Sequence, residues 1–203
     1  MTGPRLRLTR EERRSQMLEV ATDVFYERGY DQASLQEIAT RMGLLKGSLY
    51  YYIDSKEDLL FDVIRTAHDE LFDEVAGLAA GPGDAFERLE RVIHGHVGWI
   101  CAHLRWTRVF LHELRSLPVP RRQEVLASRH PYQTLLRTLI LEAQRTGLAR
   151  PDVHPPLAAL TLLGALNWSY RWFTPNGESK PAAIAATIAD LTLHGLRLPP
   201  QRA

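Results

Sequence analysis

The 203-residue chain has a single cysteine, Cys101, so no disulfide can form within it and cysteine-based zinc fingers are excluded. Lysine is almost as scarce, with only Lys46, Lys56 and Lys180. Apolar runs are short and interrupted, which leaves no segment able to cross a membrane as a helix. The opening stretch MTGPRLRLTREERR is charged and has no apolar core behind it, so it is not a secretory signal. A reducing cytoplasm is the expected compartment. Charge of either sign is nearly absent in sum, at +1, which gives no bulk attraction to nucleic acid. What is present is ordinary for a folded chain: 45% hydrophobic and 24% charged residues, a balance that argues against disorder.

The periodicity is helical almost throughout. Met17, Ala21, Val24 and Phe25 recur at helical spacing over 12–28. Thr9 with Glu12 reads as a capping box, and Gly29 as the residue that ends this helix. Ser34 with Glu37 reads as a second capping box, opening a short helix to about Arg41. Gly43 marks a tight turn, and another short helix covers Leu45 to about Tyr52. Ser55 with Asp58 opens a long helix carrying Leu59, Leu60, Val63, Ile64, Ala67, Leu71 and Val75, which stops at the Ala-Gly-Pro-Gly stretch 80–83. Further helices are expected over Asp84 to about His103, 106–116, 121–145 with a bend near Pro131, 155–173, and 181–196 behind a Ser179 cap. The fold class is all-α, with about nine helices. The expected organisation is a DNA-binding domain over 1–54 and a ligand-binding and dimerisation domain over 55–203.

Two short helices joined by a tight turn, behind a longer first helix, form the layout of a helix-turn-helix. Ala39 and Gly43 permit the close approach, and Ile38 and Leu49 supply apolar contacts. The second short helix carries Lys46, Gly47, Ser48, Tyr50, Tyr51 and Tyr52. Small residues allow entry into a major groove, while hydroxyl and ammonium donors suit phosphates and base edges.

The segment from Ser34 to Leu59, SLQEIATRMGLLKGSLYYYIDSKEDL, resembles the DNA-binding signature of the tetracycline-repressor-like (TetR) family of bacterial transcription regulators. The resemblance covers roughly 10–60. It implies a phosphate-contacting cap at Ser34, a recognition helix bearing Lys46, Gly47, Ser48, Tyr50 and Tyr51, and a backbone-clamping lysine at Lys56. Two positions depart from the family pattern. Leu45 stands where Ser or Thr is usual, and Tyr52-Ile53 replaces a common His-Phe pair. Beyond residue 60 the likeness is one of length and helical content.

Resolved along the chain, the charge is uneven: −1 over 1–60, −5 over 61–100, +6 over 101–150 and +1 over 151–203. Arg5, Arg7, Arg10, Arg13 and Arg14 make the N-terminal arm basic, and two of the three lysines fall in the DNA motif, so local placement supplies phosphate contacts. The nine arginines of 101–150 are either a solvated surface or an attractor for an anionic ligand. All four tryptophans lie in the second domain. Trp99, His103, Trp106 and Phe110 share one face if their helix is continuous, and Asn167, Trp168, Arg171 and Trp172 crowd one turn of another. These eight are the candidate ligand-binding residues, and the same aromatic stripes equally suit an ordinary core. The stretch ALNWSYRWF, 165–173, is similar to one in TetR-like regulators that sense acyl-CoA esters, which makes a CoA thioester the first candidate effector. In the family the last two helices pair with their symmetry mates, which implies a homodimer through Leu157, Leu160, Leu163, Leu166, Ile184, Ile188 and Leu191, with an alanine-rich face beside them.

No catalytic, cofactor or metal constellation is expected: His94, His96, His103 and His112 are not spaced as ligands, and Cys101 sits among apolar neighbours. The expected function is a ligand-responsive, non-enzymatic repressor binding double-stranded operator DNA, with no membrane partner. A sensor of lipophilic drugs controlling efflux is the rival, and an all-α enzyme or ligand carrier a remote one.

Overall fold

The computed structural model describes residues 9–198. Ten α-helices follow in chain order: α1 Arg10–Arg28, α2 Leu35–Arg41, α3 Lys46–Leu49, α4 Lys56–Ala79, α5 Ala85–Ala102, α6 Leu104–Glu113, α7 Val119–Ser128, α8 His130–Arg145, α9 Pro155–Trp172 and α10 Pro181–Leu196. A 3₁₀ turn, Leu114–Ser116, extends α6. Among the described residues the only β-pairing is an isolated bridge, Ala149 to Arg197.

Caps explain several of the boundaries. The Thr9 hydroxyl accepts from the Glu12 amide at 3.1 Å while Glu12 reaches back to the Thr9 amide at 2.7 Å, completing a capping box. Asp84 and Glu87 do the same for α5. Gly29 adopts φ 73° at the end of α1 and Gly43 φ 67° in the turn before α3, conformations that a side chain would strain. Ser34 caps α2 by accepting from the Glu37 amide at 3.1 Å, but the box is only half made. The Glu37 carboxylate turns instead to Arg41 at 2.7 Å, because a cation four residues on outcompetes a backbone amide.

Three expected helices are revised. α3 ends at Leu49 rather than Tyr52, and the following residues form a turn held by the Tyr52 amide donating to the Leu49 carbonyl at 2.8 Å. The span 121–145 is two helices, broken at Arg129, because Pro131 lacks the N–H that a continuous helix needs and is accommodated in a first turn instead. The last helix has Lys180, not Ser179, at its N-cap, with no side-chain cap bond and Pro181 next.

The chain divides into two compact units: residues up to Ala67 with Arg105–Gln123, and His68–Leu104 with residues from Glu124 onward. The chain passes between them inside α4, at the α5–α6 junction and inside α7. In the first unit Met17, Phe25, Ile38, Leu49, Leu59, Leu60 and Ile64 are fully buried, and Trp106, Val109, Phe110 and Leu117 are buried too. In the second unit α5 is central, packing with α8, α9 and α10 through Leu89, Ile93, Ile100, Leu136 and Ile140. Gly95 of α5 lies against Leu78 of α4 so closely that a Cβ would overlap its Cδ1 at 2.2 Å. No described helix is long and apolar enough to cross a membrane.

Candidate functional site

α2 and α3 form the helix-turn-helix, anchored from below by Ile38, Ala39 and Leu49, all fully buried. Because Leu49 is α3's only buried residue, the helix turns Lys46, Gly47 and Ser48 outward, and Tyr50 and Tyr51 in the turn after it are exposed as well. Together with exposed Ser34 they make one polar, hydroxyl-rich surface with a free cation and no bulk at Gly47. Leu45, the departure from the usual Ser or Thr, is 80% exposed and caps nothing. Of the other departure, Ile53 is buried and Tyr52 half-buried, packing edge-on to Tyr51 with ring centres 5.1 Å apart. Arg10 lies over the opposite partner of that pair, its guanidinium 5.2 Å from the Tyr51 ring centre. Arg5 and Arg7 lie outside the described residues.

Lys56 has a different local role. Its ammonium donates to the carbonyls of Tyr30 at 2.8 Å, Ala33 at 3.0 Å and Asp31 at 3.4 Å, and stands over the Tyr30 ring. Its donors are thus engaged in closing the α1–α2 turn onto α4.

Sequence reasoning missed the α1–α6 joint. Glu19, Asp23 and Tyr26 recur at spacings of four and three on α1 and meet α6. Glu19 accepts from Trp106 Nε1 at 3.3 Å, Asp23 from Arg105, and the Tyr26 hydroxyl from Arg108 at 3.0 Å. The joint borders a cleft of about 380 Å³ that also touches Gly29 and Glu113.

This placement divides the expected aromatic stripe. α5 stops at Ala102, and His103, at φ −118° and ψ 44°, breaks the helix. Trp99 and His103 therefore fall in the second unit, stacked with ring centres 4.5 Å apart, while Trp106 and Phe110 belong to the first. The arginine run is divided likewise. Arg105, Arg108 and Arg121 serve the first unit, the last bound to Asp58 at 2.9 Å and set over Phe61. On α9 the buried face is Ala159, Leu162, Leu166, Ser169 and Tyr170. Trp168 and Trp172, 60% and 50% exposed, point the other way, with Arg171 over the Trp168 ring. Asn167 sits half-buried at the edge.

A polar cluster lies in the core of the second unit. His96 on α5 is fully buried, and its Nδ1 is 2.6 Å from the Tyr132 hydroxyl on α8. Burial depresses the His96 pKa to about 3, opposed by the neighbouring Asn167 side chain. Burial also pushes the Tyr132 phenol well above its usual range. Phe72 of α4 packs against Tyr132 and stacks on His68. His96 was legible in the sequence only as a histidine within the apolar stripe of Val92, Ile93, Val97 and Ile100. Among the described residues no three His, Cys, Asp or Glu side chains are grouped to hold a metal ion.

A small exposed helix projecting hydroxyls and a cation from a helix-turn-helix defines a DNA-binding regulatory protein. Family comparison gives its kind. Residues 17–63 match the model for bacterial regulatory proteins of the tetR family, and residues 82–196 that for the tetracyclin repressor-like C-terminal domain. The chain belongs to the TetR family and is a transcriptional regulator. It is 28% identical over 188 residues to the HTH-type transcriptional repressor KstR2 of Rhodococcus jostii, covering 92% of each chain. A TetR/AcrR-family regulator from Thermobifida fusca is similar in structure at 36% identity, with a TM-score of 0.73, over 92% of this chain and 99% of that one. AibR in complex with isovaleryl coenzyme A and operator DNA is similar at 29% identity, with a TM-score of 0.79, over 92% and 98%.

Proposed function

We propose that the protein is a cytoplasmic, homodimeric repressor that leaves its operator when a CoA thioester occupies the second unit. The observation that carries this reading is the near full-length similarity to AibR, whose structure holds both isovaleryl coenzyme A and operator DNA. Ser34, Lys46, Gly47, Ser48, Tyr50 and Tyr51 face the DNA in this reading, and Lys56 holds the turn that positions them.

The dimer forms through α9 and α10. Their exposed faces carry Leu157, Leu160, Trp168, Trp172 and Leu191 beside the small residues Ala182, Ala183 and Ala186. Leu166 and Ile184 point into the protomer core instead, and Leu163 and Ile188 sit between the two environments. An isologous pair presents two copies of α3 to successive major grooves about 34–36 Å apart.

The effector acts by binding the operator-free state more tightly, which is the only free energy available to shift the equilibrium. α4 runs from one unit into the other as a single helix, and α6 is tied to α1, so both are routes by which that preference reaches α3. No enzymatic role is assigned: the Cys101 thiol is pushed up to about 11 by burial, the reverse of an activated nucleophile. The test is operator retardation with and without a panel of acyl-CoAs. Release by one member at micromolar concentration is expected, and indifference to every chain length refutes the effector.

A further inference from the structure

We propose that His96 is the hydrogen-bond donor that recognises the thioester carbonyl oxygen of the effector, with Tyr132 fixing the tautomer that makes it one. The inference rests on the CoA-thioester reading above and names the atom that reads the acyl end. Four helices bring polar or aromatic groups to this spot: His68 and Phe72 from α4, His96 from α5, Tyr132 from α8 and Asn167 from α9. Hydrocarbon packing alone would need none of the polar ones.

The chemistry follows from the imidazole. Buried in the core, it is neutral and carries one N–H. A phenol hydroxyl is the natural donor to Nδ1 at 2.6 Å, which leaves the proton on Nε2. That Nε2 is buried and no hydrogen bond meets it, while the Asn167 side chain lies near the ring. A buried donor without an acceptor is costly, and the cost is recovered when a ligand brings one. An uncharged acceptor suits it, because the imidazole that donates is itself neutral. A carbonyl oxygen at the end of an apolar acyl chain meets both demands. Trp99, one turn along α5 from His96, extends the same face with apolar surface.

The experiment compares an acyl-CoA with the S-alkyl-CoA thioether of equal chain length, which lacks only the carbonyl oxygen. Acetyl-, isovaleryl- and octanoyl-CoA and their thioethers are titrated calorimetrically into the full-length protein. The wild type is expected to prefer the thioester by about tenfold. His96→Phe and Tyr132→Phe bring that ratio towards one, His96→Gln, which retains an N–H donor, restores part of it, and operator affinity stays unchanged in all three. If His96→Phe fails to fold, Tyr132→Phe alone decides. A wild type that binds both compounds equally, or a variant that keeps the tenfold preference, overturns the assignment while leaving the CoA reading intact. Failure of the wild type to bind any of the six compounds overturns both.

Discussion

The ammonium group of Lys56 sits 4.3 Å from the centre of the Tyr30 ring and donates to the Tyr30 carbonyl at 2.8 Å. The lysine expected to grip DNA is thereby committed to its own chain. Replacing it with methionine is expected to cost about 2 kcal/mol of stability through lost charge-assisted bonds. Operator affinity falls with it, because the α1–α2 turn loosens. The slope of log affinity against log salt distinguishes the two roles. It stays constant for a staple, and drops by about one for a phosphate contact.

Lys46 and Tyr51 are expected to behave differently from Lys56. Lys46 is exposed on α3, Tyr51 is exposed in the turn after it, and neither is buried in the core. Lys46→Ala should leave thermal stability within about 0.5 kcal/mol and reduce the salt slope. Tyr51→Ala should abolish operator retardation at concentrations that saturate the wild type. Fluorescence anisotropy with labelled operator at two salt concentrations checks both.

The α1–α6 joint predicts a variant defective in response rather than in DNA binding. Trp106→Phe keeps the buried ring and removes the N–H given to Glu19. Stability is expected to fall by about 1 kcal/mol. The factor by which effector weakens operator binding is expected to shrink about fivefold. Operator titrations with and without saturating effector measure that factor directly.

Acidification carries a signature of His96. Its pKa is 6.5 in an unfolded chain and about 3 in the core, so between those values the unfolded state holds the extra proton. The stabilising contribution is whole above pH 6.5 and is lost as the pH falls below it, by up to about 1.4 kcal/mol per unit. Urea midpoints should therefore drop between pH 7.5 and pH 5. His96→Phe should flatten that dependence, and an unchanged slope in the variant would assign it to other groups.

Oligomeric state tests the outer face of α9. Trp168→Arg places a charge where a 60% exposed aromatic now stands, and Leu160→Arg does so two turns earlier. Each should sediment as a monomer at micromolar concentration and lose operator binding, while far-ultraviolet circular dichroism remains helical.

Local chemistry was readable without coordinates wherever a short stretch decides the outcome. The Thr9–Glu12 box, the Gly29 stop and the exposed face of α3 all depend on residues within one or two turns. The failures have the same physical root. Glu37 left its capping role because a better partner, Arg41, stood one turn further on. Trp99 and Phe110 looked like one stripe because spacing cannot reveal a break at His103. The His96–Tyr132 pair joins residues 36 apart, and the Asp23–Arg105 pair residues 82 apart. Neither distance is encoded in periodicity. The arginine run invited an electrostatic explanation, yet three of its members are engaged with acids and aromatics in the first unit.

The division of the chain has a consequence for how it is made. The unit that holds the helix-turn-helix also contains Arg105–Gln123. Its core includes Trp106, Val109, Phe110 and Leu117, all buried. During synthesis, therefore, the DNA-reading half begins first but stays unfinished until residue 123 has left the ribosome, well after the opposite half has started to emerge. A fragment cut within α4 would keep every residue proposed to face DNA and still lack part of the interior those residues stand on.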